Sequence, residues 1–231
     1  MLIVINGESS RLIVDGMKSK NFIIPACLVT NSKEFTKRLE FARKVGNSFH
    51  IDVIDRNFVS GEAMPVDKWP VIDIEYAEAH LMVRNPVAML SPLKSRGIIR
   101  AIVHIESEFD LEELATEARV NDILLGFAVN PETDLTTLPK YFAVSQYIQV
   151  MGVTPGHVGQ PQQPHTALAV SYLHKLPYRL TITVDGGVNQ DNINALRQAG
   201  ADNVICSAAL YENGEWKENF ENLLVKGLDD D

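Results

Sequence analysis

Residues 179–200 read RLTITVDGGVNQDNINALRQAG. Four of the first seven, Thr181, Ile182, Thr183 and Val184, are β-branched and lead to Asp185, which reads as a strand, and Gly186 and Gly187 then break it. From 189 to 199, Ile193, Leu196 and Ala199 fall on one helical stripe, and Gly200 closes the helix. This is one strand–loop–helix unit, so the fold depends on how often the unit recurs.

Eight β-like runs lie along the chain, at 22–28, 49–54, 77–83, 99–105, 122–129, 146–153, 179–185 and 203–208. Helical spacing lies between several of them. Residues 32–45 place Phe35, Leu39, Ala42 and Val45 on one stripe ahead of Gly46, with Ser32 as the expected N-cap. Residues 108–118 and 165–174 form weaker helical patterns. Strands alternating with helices make a parallel sheet covered by helices. Eight strands spread over nearly the whole chain favour a single-domain α/β fold closed as a (β/α)8 TIM barrel over an open doubly wound sheet. No GxGxxG follows the first strand and no GxxxxGK[ST] occurs. Residues 56–76 contain two prolines and no apolar stripe, so they are expected to be loop with at most a short helix. Residues 1–20 hold LIVI and RLIVD around NGESS, an N-terminal extension expected to form a small hairpin outside the barrel domain of 21–231.

Lys+Arg 21 against Asp+Glu 30 gives a formal charge of -9, which argues against a nucleic-acid surface. A small anion pocket stays compatible with that charge, because backbone N–H groups can hold a phosphate. The two cysteines, Cys27 and Cys206, sit in apolar runs and read as buried thiols. No window reaches the roughly 18 apolar residues of a membrane span, and the opening MLIVINGESS lacks a signal peptide's basic start. A cytoplasmic protein with no membrane partner is the expectation.

Barrel active sites form at the C-terminal ends of the strands. His50 and Asp52 share one face of the second strand, His80 lies in the third, and Asp185 ends the seventh. Taken singly, each has a bland explanation: a core histidine, a strand cap, a turn-forming aspartate. An aspartate between Ile51 and Val53 on a covered strand nevertheless needs a partner. Together the four make a mixed nitrogen and oxygen set suited to one divalent ion such as Zn, Fe, Mn or Co. His104 and Glu106, ending the fourth strand, read as a hydrogen-bonded rim pair, and Asp55 as a loop cap. The loop TPGHVGQ (154–160) offers Gly156 and Gly159 for close approach to a ligand, with His157 between them. Loops after strands seven and eight are the usual phosphate position, which makes Gly186, Gly187 and Ser207 candidate donors.

These residues also stand in recognisable motifs. HIDVID followed by NFV (50–55, 57–59), AHLMVRNP (79–86), GFAVNPET (126–133), VMGVTPGHVGQ (150–160) and ITVDGGVNQDNINALRQAGAD (182–202) occur in this order. With them the chain resembles the ribulose-phosphate 3-epimerase family from about 22 to 210. The resemblance implies a metal-dependent epimerase that inverts C3 of a ketose phosphate, ribulose 5-phosphate to xylulose 5-phosphate, through a cis-enediolate. It further implies a homodimer or larger assembly with a phosphorylated ketose as substrate. It places His50, Asp52, His80 and Asp185 on the metal positions and makes Asp52 and Asp185 the acid/base pair. Met82 and Met151 then line the site, and Gly186, Gly187 and Ser207 grip the phosphate.

Departures from the family pattern gather around the substrate. Ala26 stands for a serine, Ile54 for a methionine, and Arg56, Val158 and Cys206 for glycines. The valine is expected to stiffen the loop, and Cys206 to crowd the phosphate. Two other readings follow from these changes: an epimerase or isomerase for another phosphorylated sugar, and a catalytically weak metal- or sugar-phosphate-binding homologue.

Overall fold

A computed structural model describes residues 21–228. The expected N-terminal hairpin at 1–20 lies outside the described residues. Eight parallel strands pair in chain order and β8 closes on β1. They are β1 Ile23–Cys27, β2 Ser48–Ile54, β3 Tyr76–Met82, β4 Arg100–His104, β5 Leu124–Val129, β6 Tyr147–Met151, β7 Thr181–Asp185 and β8 Asn203–Cys206. The (β/α)8 barrel is therefore as expected, as a single domain. The last expected strand is shorter than read, because α6 (Ala208–Tyr211) starts where it was extended.

The remaining helices are α1 Ser32–Val45, α2 Leu90–Lys94, α3 Leu111–Val120, α4 Thr166–His174, α5 Ile193–Ala199 and α7 Trp216–Leu228. The N-cap of α1 is Asn31 and not Ser32: the Asn31 side chain accepts a hydrogen bond from the Glu34 N–H at 3.0 Å. Helix α5 begins four residues later than its sequence pattern. Asn189 Oδ1 accepts from the Asp191 and Asn192 N–H groups, and Asn192 Oδ1 accepts from the Asn189 N–H. These local side-chain bonds compete with helix and hold 189–192 as a turn.

Only a short 3₁₀ turn, Val66–Lys68, interrupts the long β2–β3 connection. Packing replaces the missing helix: Met64, Val66, Trp69, Ile72 and Ile74 are buried against the barrel. Trp69 lies 5.7 Å from the Phe35 ring, and its indole N–H donates to the Met64 carbonyl.

The main apolar core fills the layer between strands and helices. The barrel lumen is different. Two small apolar clusters, one around Tyr76 and Ile205 and one of Ile102, Ala128 and Tyr147, accompany buried His50, Glu78, Arg100 and Thr183. Tyr147 fits there because its neighbour on β5 is Gly126. A Cβ at Gly126 would stand 2.7 Å from Tyr147 Cδ1 and 3.3 Å from Ile102 Cγ1. Gly126→Ala is expected to lower stability by about 1–3 kcal/mol through overpacking. Urea unfolding measures it, and an unchanged midpoint would mean that the ring has room to move.

Candidate metal centre and active site

Strand register builds the centre. Asp52 pairs with His80 across β2 and β3, and Met151 pairs with Asp185 across β6 and β7. His50 lies one step below, level with Glu78. His80 Nδ1 is 3.1 Å from Asp52 Oδ1 and 3.4 Å from Asp185 Oδ2. His50 Nε2 is 3.7 Å from a carboxylate oxygen of each aspartate. One ligand atom from each of the four residues lies within 4.8 Å of every other. The four side chains singled out in the sequence thus meet at one point.

Outer contacts orient the inner ones. His50 Nδ1 lies 2.8 Å from Glu78 Oε1, and the Tyr147 hydroxyl donates to Glu78 Oε2 at 3.0 Å. Thr183 in turn donates to the Tyr147 hydroxyl. Gln149 Nε2 donates to Asp185 Oδ2 at 3.1 Å. Burial by itself raises the Glu78 and Asp52 carboxyls, yet the neighbouring imidazoles outweigh it and hold both below the usual carboxylate range. Burial lowers His50 and His80, and the facing carboxylates reverse this and raise both. Burial pushes the His104 imidazole down to about 4.

His50 supplies the test of fit for a metal. With Glu78 ionised, the His50 Nδ1–H donates to it, and Nε2 turns toward the two aspartates. That nitrogen is fully buried and has no hydrogen-bond partner among the described residues. A ring oriented by a carboxylate through one nitrogen, with the other left for a cation, is the usual arrangement of a metal-binding histidine. The residues fit a divalent ion of the first transition row.

The raised histidines have a consequence for pH. An incoming cation must displace their ring protons, so metal affinity is expected to rise with pH, by up to about a hundredfold per unit while both rings are protonated. Chelator competition between pH 6 and 8 measures it, and a flat profile would contradict the arrangement. In the metal-free protein the sign reverses. Folded values raised above about 6.5 give stabilisation that is complete below that pH and is lost as pH rises through the folded values.

A cavity of about 450 Å³ opens over the centre, lined by Asp52, His80, Asp185, Met82 and Met151. Gly156, His157, Gly159, Gly186, Gly187 and Ser207 line it as well. Every candidate substrate residue therefore reaches the same space, whereas His50 sits beneath it. Gly186 and Gly187 take positive φ, 103° and 69°. A Cβ on Gly187 would stand 2.6 Å from the Gln162 backbone nitrogen, so the close approach of this loop also requires glycine.

The departures separate once they are placed. Ala26 and Val158 line the cavity, and Cys206, Ile54 and Arg56 do not. The expectation that Cys206 crowds the phosphate is wrong. Its side chain is fully buried in the core between barrel and helices, on the opposite face of β8. Arg56 is exposed, pairs with Glu62, and has φ 61°. That is a left-handed backbone which a glycine adopts without strain and which a side chain such as arginine rarely takes. Asp55 caps the loop, accepting from the Asn57, Phe58 and Arg84 N–H groups.

Sequence reasoning missed Glu78, Tyr147 and Gln149. Glu78 carried the signal already used for Asp52, an acid on a covered strand sharing a face with His80. The other two are neutral and gave none.

Comparison with known proteins adds to this geometry. Residues 22–211 match the profile of the ribulose-phosphate 3-epimerase family. A ribulose-phosphate 3-epimerase of Chlamydia pneumoniae is 29% identical over 201 residues, covering 83% of this chain and 86% of that protein. One of Schizosaccharomyces pombe is 26% identical over 200 residues, covering 82% and 86%. Among solved structures, 3-hexulose-6-phosphate synthase superposes with a TM-score of 0.65 at 14% identity, covering 88% of this chain and 98% of that one. N-(5'-phosphoribosyl)anthranilate isomerase from Pyrococcus furiosus gives 0.64 at 14%, covering 90% and 98%. At such identities the structural likeness speaks to the fold alone.

Proposed function

The chain belongs to the ribulose-phosphate 3-epimerase family, and from that premise we propose that it inverts C3 of a ketose phosphate, interconverting ribulose 5-phosphate and xylulose 5-phosphate. The observation that carries the reading is the convergence of Asp52 and Asp185 on one cavity from β2 and β7. Counted around the barrel one way, β8 and β1 stand between these strands, so the two carboxylates reach a flat substrate from different directions. Inversion needs that: one group removes the C3 proton from one face and the other returns a proton to the opposite face.

His50, Asp52, His80 and Asp185 would hold one divalent ion, which supplies positive charge to the oxygen that becomes negative as the proton leaves. One of Asp52 and Asp185 takes the C3 proton as a carboxylate while the other, protonated beforehand, delivers its own proton to the opposite face, the roles depending on the epimer bound and the two titrations being coupled. Gln149 steadies Asp185 through the 3.1 Å hydrogen bond. Met82 and Met151 give the cavity an apolar wall that keeps water from the reacting carbon. The distal phosphate is assigned to the loops of Gly186, Gly187 and Ser207, whose hydroxyl is buried without a partner among the described residues. Gly156, His157 and Gly159 close over the substrate. A cytoplasmic homodimer or larger homo-oligomer belongs to the same proposal.

Ala26 and Val158 in the cavity wall favour a second reading, the same chemistry on another phosphorylated sugar. Product analysis by ¹³C NMR distinguishes the two, with ribulose 5-phosphate and a six-carbon ketose phosphate offered in parallel. Xylulose 5-phosphate from the first substrate alone supports the proposal, and turnover of the second alone replaces it. Binding of both without turnover would leave a metal- or sugar-phosphate-binding homologue.

A further inference from the structure

His104 and Glu106 take no part in the function described so far, yet they are not a separate rim pair. His104 Nε2 lies 2.8 Å from His80 Nε2, and with centroids 4.9 Å apart and planes inclined by 28° the two rings meet nitrogen to nitrogen. On its other side, His104 Nδ1 is 3.2 Å from Glu106 Oε2. Glu106 Oε1 accepts from the Asn130 N–H and from the Thr133 hydroxyl. Phe58 covers the His104 ring at 4.9 Å, and His80 and His104 are both fully buried.

Counting protons gives this chain one direction. Glu106, already accepting two hydrogen bonds, presents a carboxylate to His104, so Nδ1 of His104 carries a proton. A neutral buried imidazole then has a bare Nε2, and only one proton fits between two ring nitrogens 2.8 Å apart. That proton belongs to His80 Nε2. His80 is therefore left to meet Asp52 and Asp185 with Nδ1, at 3.1 and 3.4 Å. The two histidines use opposite nitrogens: His50 faces the aspartates with Nε2 and is held at Nδ1 by Glu78, whereas His80 faces them with Nδ1 and is held at Nε2 by His104.

We propose that His104 and Glu106 are positioning residues that fix the ring orientation and proton placement of His80, so that its Nδ1 is presented to the metal centre. The proposal rests on the metal reading given above and extends it to residues that touch neither ion nor substrate. Without the acceptor at His104, the His80 N–H would be buried unpaired and its ring free to rotate.

The test uses the full chain with His104→Leu and His104→Gln, the latter restoring an acceptor oxygen near the position of Nε2. Zn²⁺ affinity is measured by chelator competition, and ring-nitrogen NMR reports the tautomer of each histidine in the wild-type protein. Loss of about 10–100-fold in affinity is expected for His104→Leu, with substantial recovery in His104→Gln. The NMR spectrum is expected to show His104 protonated at Nδ1 and bare at Nε2, with His80 protonated at Nε2 both before and after Zn²⁺ is added. Equal affinity in wild type and His104→Leu, or a His104 proton on Nε2, would overturn the proposal. A wild-type protein that binds no Zn²⁺ would defeat the metal reading instead, and the His104 tautomer decides the direction of the hydrogen-bond chain there as well. Should His104→Leu not fold, the wild-type spectrum and His104→Gln still decide it.

Discussion

Asp185→Asn is expected to fold, to hold a phosphorylated ligand nearly as well as the wild type, and to lose about 10³ to 10⁴ in turnover. The amide matches the carboxylate in shape, and its carbonyl can still accept from Gln149 Nε2, so the local geometry survives. It cannot take up or return a proton, and a positioned acid or base is worth roughly 10² to 10⁴. Asp185 also contributes one of the oxygens around His50 and His80, so a weaker metal centre adds to the loss. Asp52→Asn is expected to do the same from the other face. Kinetics with both variants, with ligand affinity measured separately, split the chemical role from binding. Turnover within tenfold of wild type in either variant would refute the assigned proton transfers.

Glu78→Leu is expected to be the most destabilising single change near the site, by about 3–5 kcal/mol. Glu78 is fully buried and accepts from His50 and from the Tyr147 hydroxyl, and its charge is favoured by Arg100. Leucine removes the acceptor while leaving two buried donors and the field of a buried guanidinium behind. Glu78→Gln keeps acceptor oxygen but no charge, so it should fall between the two in stability. Because Glu78 orients His50, both variants are also expected to weaken metal binding by about 10–100-fold. Urea unfolding and chelator competition measure the two effects. A Glu78→Leu protein as stable as wild type would show that the polar lumen contributes little to folding.

The barrel was legible in sequence because its unit repeats. A β-rich run, a glycine break and an apolar stripe, as in 179–200, recur often enough to count strands. Boundaries were less legible, since tertiary contacts set them. Asn31 caps α1 ahead of Ser32, and the paired asparagines at 189 and 192 delay α5. The helix-poor β2–β3 connection reads as loop, and the burial of Trp69 that stabilises it depends on Phe35, 34 positions away in a different element. At the site, the charged ligands stood out because charge on a covered strand demands a partner. Tyr147 and Gln149 are polar without charge, and their role depends on which strand lies beside them. His104 and Glu106 were visible as a pair, but their link to His80 exists only once β3 and β4 are adjacent. Of the substituted positions, Cys206 could be cleared from the cavity only by knowing which face of β8 it occupies.

Proton exchange at C3 that depends on a bound metal is read out by deuterium incorporation. Ribulose 5-phosphate is incubated with the protein in D₂O in three forms: as loaded with a divalent ion, after stripping with a chelator, and after restoring the ion. Deuterium at C3 together with xylulose 5-phosphate is expected in the first and third, and neither in the second. Exchange that survives stripping would contradict the metal-dependent mechanism. No exchange in the loaded protein would contradict the epimerase itself.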